Sequence, residues 1–95
     1  MQKIINEIHA YILRIGGHQS NWYVGIANDP RDRLFNGHGV GEHGGVWIHI
    51  NAGTETIARA VEKSFLDWGC AGGGGGGDAN TCYVYAYQIT PRTRE

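Results

Sequence analysis

The sequence predicts a small α+β domain, a mainly antiparallel sheet flanked by helices. Three observations carry this. Ninety-five residues are enough for one domain, 1–95, with a modest core. Short alternating apolar runs recur between segments of helical period. Glycine, proline and Asx signals separate those segments throughout. The resulting order is α-β-β-α-β-α-β, helices interleaved with a four-stranded sheet.

The elements follow in order. In residues 2–8, Ile4, Ile5 and Ile8 fall at helical spacing, which suits one or two turns against an apolar edge. From His9 to Ile15 the chain alternates, with His9, Tyr11, Leu13 and Ile15 on one face, and this predicts a strand. Gly16 to Asn21 is a turn, and Trp22 to Ala27 a second strand, so the two form an antiparallel hairpin. Asp29 is a good N-cap and Pro30 fits the first helical position. That predicts a short helix to about Asn36, with Gly37 as its left-handed stop. A Gly/His-rich loop over 38–45 leads to a third strand, Val46 to Ile50. Thr54 then caps a helix from about Glu55 to Trp68, with Ile57, Ala58, Val61, Phe65 and Trp68 on one stripe, and Gly69 ends it. Residues 71–79 are a low-complexity glycine loop. Tyr83 to Ile89 suits a last strand, and 91–95 is a tail.

Composition bounds the function. The net charge of −1 argues against a generic nucleic-acid coat, which carries a basic excess. A few arginines on one face still suffice for a local positive field. No apolar run approaches the roughly 20 residues that span a bilayer, and no basic-then-apolar leader opens the chain, so the expectation is a cytoplasmic protein with no membrane partner. Two cysteines make no disulfide scaffold, and Cys70 and Cys82 are expected to stay reduced.

The chemistry is concentrated in Tyr23-Val24-Gly25-Ile26-Ala27, followed by Asn28-Asp29-Pro30-Arg31-Asp32-Arg33. A strand carries a tyrosine and a glycine, stops at an Asx-Pro signal, and a short helix presents an arginine. This order resembles the GIY-YIG nuclease family. The resemblance covers about residues 9–62: Tyr11 falls where the family has its first tyrosine, Tyr23-Val24-Gly25 is close to YIG, Arg33 falls on the helix arginine, and Glu62 on the metal-binding glutamate. His9-Ala10 stands in place of the family's Gly-Ile. Asn80 corresponds to an asparagine that often follows the glutamate, and His38 to a histidine that some members use as an acid or base.

The resemblance implies a metal-dependent endonuclease acting on DNA or RNA. Glu62 would hold one Mg²⁺ or Mn²⁺ with water and phosphate completing the octahedron. Arg33 would fork onto phosphate oxygens. Tyr23 would position and deprotonate the attacking water, and Tyr11 would support that network. The alternative is a catalytically weak or inactive member that binds nucleic acid or protein. With no dedicated DNA-binding domain in the sequence, added affinity would come from a protein partner or a second copy of the chain.

Bland readings stand beside each of these. A strand tyrosine is usually half-buried core with a wet hydroxyl, and that is the expectation for Tyr83, Tyr85 and Tyr87. His38, His43 and His49 with Glu42 fit no standard zinc spacing and read as loop histidines. Gly72 to Gly77 lacks the Lys-Ser/Thr ending of a phosphate-binding P-loop.

Overall fold

The structure is a computed structural model that describes residues 1–73 and 80–95. Among the described residues three α-helical segments and three strands alternate. They are α1 (Gln2–Ile15), β1 (Trp22–Ala27), α2 (Pro30–Asp32), β2 (Trp47–Asn51), α3 (Glu55–Trp68) and β3 (Tyr83–Gln88). The sheet order is β1-β3-β2 with both pairings antiparallel. The domain is α+β as the sequence predicts, with three strands instead of four.

The missing strand is the one expected over His9 to Ile15, which continues α1. Ile8 and Ile12 extend the apolar stripe by one helical turn and are 0% and 1% exposed. Leu13 and Ile15, which a strand would have turned inward with Tyr11, are 63% and 42% exposed. Alternation misleads here because Ala10 and Ile12, on the supposed outer face, are apolar too. No hairpin precedes β1, and a short 3₁₀ turn, Gln19–Asn21, makes the connection.

Strand β3 takes the central place, between β1 and β2. It is apolar on both faces, as a central strand must be: Val84, Tyr85, Ala86 and Tyr87 are all buried. The pairing sets Tyr87 opposite Tyr23, and Tyr85 opposite Gly25. On the other side Tyr87 meets Trp47, and Tyr85 meets His49.

Strand alternation therefore divides the interior in two. On one face Trp22, Val24, Ile26, Val84 and Ala86 pack under α1 and α3. On the other, Tyr85 and Tyr87 pack with Leu34 and Val40, and Tyr23 and Trp47 lie against them. Helix α3 has the bounds the sequence predicts. The Thr54 hydroxyl accepts from the Ile57 amide at 3.2 Å, and Gly69 ends the helix at φ 120°.

Candidate active site

Four elements meet on the tyrosine face. Asp29 caps α2 by accepting from the Asp32 amide at 3.1 Å, and Pro30 occupies the first turn. The helix does not run on regularly to Asn36. Arg33–Gly37 forms a wider π-type turn, closed by the His38 amide donating to the Arg33 carbonyl at 2.8 Å. The left-handed stop expected at Gly37 lies instead at Gly39, φ 71°. The extra residue swings His38 inward, and the ring is 7% exposed. The expectation of a solvated loop histidine is corrected on this point.

His38 Nε2 lies 2.8 Å from the Tyr85 hydroxyl, and Nδ1 lies 2.7 Å from the Arg94 carbonyl oxygen. A carbonyl can only accept, so Nδ1 carries the proton in the neutral ring. Nε2 then offers its lone pair to the Tyr85 O–H. Tyr87 lies 3.1 Å from the same Nδ1 and donates its hydroxyl proton to the Glu95 carboxylate at 2.9 Å. The Arg94 amide donates to the His38 carbonyl at 2.6 Å. Residues 91–95, expected to be an idle tail, thus fix the orientation of the histidine.

Tyr23 stacks beside this group. Its ring lies 4.6 Å from His38 and 5.3 Å from Tyr87, centroid to centroid. Tyr23 is half-buried, whereas Tyr85 and Tyr87 are buried, so Tyr23 is the phenol that meets solvent. Its hydroxyl faces Gly73, where an added Cβ would lie 3.6 Å from the oxygen.

Gly25 has a specific reason to be glycine. A Cβ there would lie 2.5 Å from the Tyr85 hydroxyl oxygen and 2.6 Å from the ring carbon bearing it. The Tyr85 ring lies across β1 at the one position without a side chain, and its hydroxyl points toward the outer edge of that strand.

Glu62 reaches the same edge from behind. Helix α3 covers the opposite face of the sheet, but one flank of it turns toward β1. Leu66 on that flank abuts Gly72, whose own added Cβ would sit 2.7 Å from the Val24 carbonyl oxygen. Ala71 runs alongside β1 there, donating to Trp22 and accepting from Val24 at 2.8 and 2.9 Å. Glu62 stands one turn before Leu66. It is 4% exposed, and the charge of Arg59, one turn earlier on the helix, acts on its carboxyl.

Electrostatics tie these groups together at Tyr85. Burial pushes its hydroxyl well above the usual phenol range. The Tyr23 hydroxyl and the Glu62 carboxylate push the same way, and the Arg33 guanidinium opposes them. Burial likewise raises Tyr87, with Glu95 adding to it. Both phenols are therefore proton donors at neutral pH. Burial also raises the Glu62 carboxyl, partly offset by the charge of Arg59. Arg33 is exposed, and its guanidinium makes no hydrogen bond or ion pair with a described residue, which leaves it available to an anion.

Tyr23 and His38 thus lie against Tyr85, and Arg33 and Glu62 act on it through their charges. Tyr11 is not among them. It lies on α1, edge-on to Trp22 at 6.0 Å with Arg14 over its ring, on the aliphatic face. The reason is the helix that replaced the expected strand. Tyr85 and Tyr87, read from the sequence as half-buried core with a wet hydroxyl, are fully buried, and the Tyr85 hydroxyl is the hydrogen-bond partner of His38. The repeat Tyr83-x-Tyr85-x-Tyr87 was the signal, since it sets three phenols on one strand face.

No group of three or more His, Cys, Asp or Glu side chains suited to a metal ion occurs among the described residues. Glu42 instead pairs with Arg31, and His49 stacks on Trp47. Cys70 and Cys82 are both free. Among the described residues no helix is long and apolar enough to cross a membrane. Of the glycine loop, residues 74–79 lie outside the described residues. Compared with protein-family models, with curated proteins and with solved structures, the chain matches none.

Proposed function

We propose that the chain is a metal-dependent endonuclease that hydrolyses phosphodiester bonds, with Tyr85 in the part that the sequence resemblance gave to Tyr11. The observation that carries this is the Tyr85 hydroxyl. It is hydrogen-bonded to His38, lies over Gly25, and feels the charges of Arg33 and Glu62 together. In the GIY-YIG pattern a first tyrosine pairs across the sheet with the YIG strand. Here the strand paired with Tyr23-Val24-Gly25 follows the glutamate helix in the chain. On this reading the pattern would be permuted in sequence, with Tyr85 from the later strand in the first tyrosine's part.

Each group has a distinct task. Arg33, exposed and unengaged by described residues, binds the non-bridging phosphate oxygens and offsets the charge that repels a nucleophile. Tyr23, the half-buried phenol, orients the attacking water and, as the phenolate left after its own proton has gone to solvent, takes the water's proton as the oxygen–phosphorus bond forms. The leaving oxygen is protonated from solvent. Tyr85 and His38 hold the Tyr23 ring in place, and the Arg94 carbonyl fixes the histidine tautomer. Glu62 suits one divalent cation. Burial makes this carboxyl costly as an anion and the Arg59 charge offsets that only in part, so a cation with waters and a phosphate oxygen would lower the cost further. When bound, Mg²⁺ or Mn²⁺ would supply further neutralisation of phosphate charge.

The test is single-turnover cleavage of labelled DNA and RNA with Mn²⁺, comparing wild type with Tyr23→Phe and Glu62→Ala. The expected loss for Tyr23→Phe is about 10²–10⁴-fold. Arg33→Ala lowers the rate and weakens substrate binding as well, because it meets charge present before the reaction. Equal rates in all the proteins would assign the cutting to another site. An intact fold with no cutting on either substrate would favour a binding module.

A further inference from the structure

The tyrosine face continues past Tyr85 onto β2. The register places His49 beside Tyr85, and Trp47 and Tyr83 lie on the same face. Unlike Tyr85 and Tyr87, these three rings are only half-buried. Trp47 and His49 stack in parallel, 5.6 Å apart and 8° from coplanar, and Tyr83 meets His49 edge-on at 6.0 Å. Arg31 lies 5.9 Å above the Trp47 ring, held by its ion pair with Glu42.

A cavity of about 280 Å³ opens over His49 and Tyr83, walled by Asn28, Asp29, Pro30 and Arg31. A second recess of about 220 Å³ shares Asn28 and Asp29 with it and is bounded on its far side by Arg33. Two adjacent recesses, with Asn28 and Asp29 as their common wall, thus lie between Arg33 and the aromatic floor. That wall carries unused polar atoms. Asn28 Oδ1 accepts from the Thr81 hydroxyl at 2.7 Å, and the amide nitrogen has no partner among the described residues. Asp29 Oδ1 caps α2 and leaves its second oxygen open. A hydrogen-bond donor and an acceptor thus stand beside two half-buried aromatic rings set at 75° to each other. Burial and then the Arg31 charge lower the His49 pKa, so its ring is neutral.

We propose that this recess seats one unpaired nucleobase next to the phosphate held by Arg33, so that the substrate is a single-stranded or unpaired stretch of nucleic acid. The inference rests on the reading of Arg33 as a phosphate ligand. A base inside a duplex has both faces covered and cannot stack on a protein ring, whereas an unpaired base can lie on one of the two rings with its edge toward the other. Stacking also answers the charge problem. A chain of net charge −1 gains little from phosphate neutralisation, and aromatic contact supplies affinity that does not depend on it.

The experiment is equilibrium binding in EDTA, where no cleavage occurs, followed by fluorescence anisotropy. Three labelled probes of equal length are used: an oligothymidylate, a chain of abasic deoxyribose phosphates, and a duplex. Wild type should bind the oligothymidylate roughly 5- to 150-fold more tightly than the abasic chain, the range that stacking of one base provides. The duplex should bind more weakly than the oligothymidylate. His49→Ala and Tyr83→Ala, checked for native circular dichroism, should each shrink the preference for bases. Equal wild-type affinity for the first two probes overturns the proposal without reliance on any variant. So does a preference that both variants retain, or no binding of any probe. Base-dependent binding lost in the variants, with no cleavage under Mn²⁺, keeps the base seat and removes the hydrolytic reading. Cleavage with no base preference does the reverse.

Discussion

The two faces of the sheet are built from the same three strands and have opposite characters. Beneath α1 and α3 the side chains are almost all hydrocarbon: Ile8, Ile12, Val24, Ile26, Val61, Phe65 and Val84. Beneath the π-type turn and the C-terminal residues they are phenols and imidazole, linked by hydrogen bonds at 2.7 to 3.1 Å. One face needs only volume and shape. The other needs each polar group matched, because a buried hydroxyl or ring nitrogen without a partner costs about 1–3 kcal/mol. Alternation along a strand lets one chain meet both demands without mixing them. Neighbouring residues such as Trp22 and Tyr23 serve different ends.

That contrast can be broken most sharply by paired substitutions. Phe65→Ala should lower stability by about 3–5 kcal/mol, a large part of what a domain this size possesses. Urea denaturation checks it. Tyr23→Phe should leave stability within about 0.5 kcal/mol, since only an exposed-edge hydroxyl is removed, while cleavage falls as stated above. If the two substitutions lowered stability alike, the division of labour between the faces would be wrong.

A smaller effect is expected at Gly25. Alanine there forces the Tyr85 ring from its place and should cost about 1–3 kcal/mol, the usual range for overpacking. The near-ultraviolet circular dichroism of the stacked tyrosines should change with it, although only one methyl group is added. An unchanged spectrum would mean that the ring has another resting position.

The smallest effect concerns pH and sharpens the role of Glu62. Its carboxyl is raised in the folded protein, so the folded state holds a proton that the unfolded chain has already lost. Without divalent ions, stability should fall as pH rises from the ordinary glutamate range through the raised folded value, and level off above it. Glu62→Gln should remove that decline, and Mn²⁺ should offset it in wild type alone. Melting temperature against pH, with and without Mn²⁺, measures both.

Local signals made much of this legible. Thr54 and Gly69 bracket α3 in the sequence as they do in the structure, and Asp29-Pro30 starts α2 where capping chemistry requires. Tyr23, Arg33, His38 and Glu62 were identifiable as candidates from their order along the chain. What could not be read is which strand pairs with β1. Periodicity shows that a segment is extended, not its neighbour, and Tyr85 comes from the far end of the sequence. His38 was legible as a position and not as a buried group, because its partners Tyr85, Tyr87 and Arg94 are all distant in sequence. Tyr11 failed for a local reason, since apolar residues on both sides of residues 9–15 satisfy period 2 and period 3.6 alike.

The central position of β3 has a consequence for how the molecule comes into being. β1 and β2 are separated by β3 in the sheet, and β3 is the last of the three to be synthesised. A growing chain that has emerged only as far as α3 has two strands with no partner and exposed ladder edges. Tyr23, Arg33 and Glu62 are already present in that fragment, but the phenol and the backbone carbonyl that organise His38 are not. The candidate site would be assembled by the final strand insertion, a long-range closure of the slow kind. A nascent or truncated chain would carry the ingredients of the site and none of its geometry.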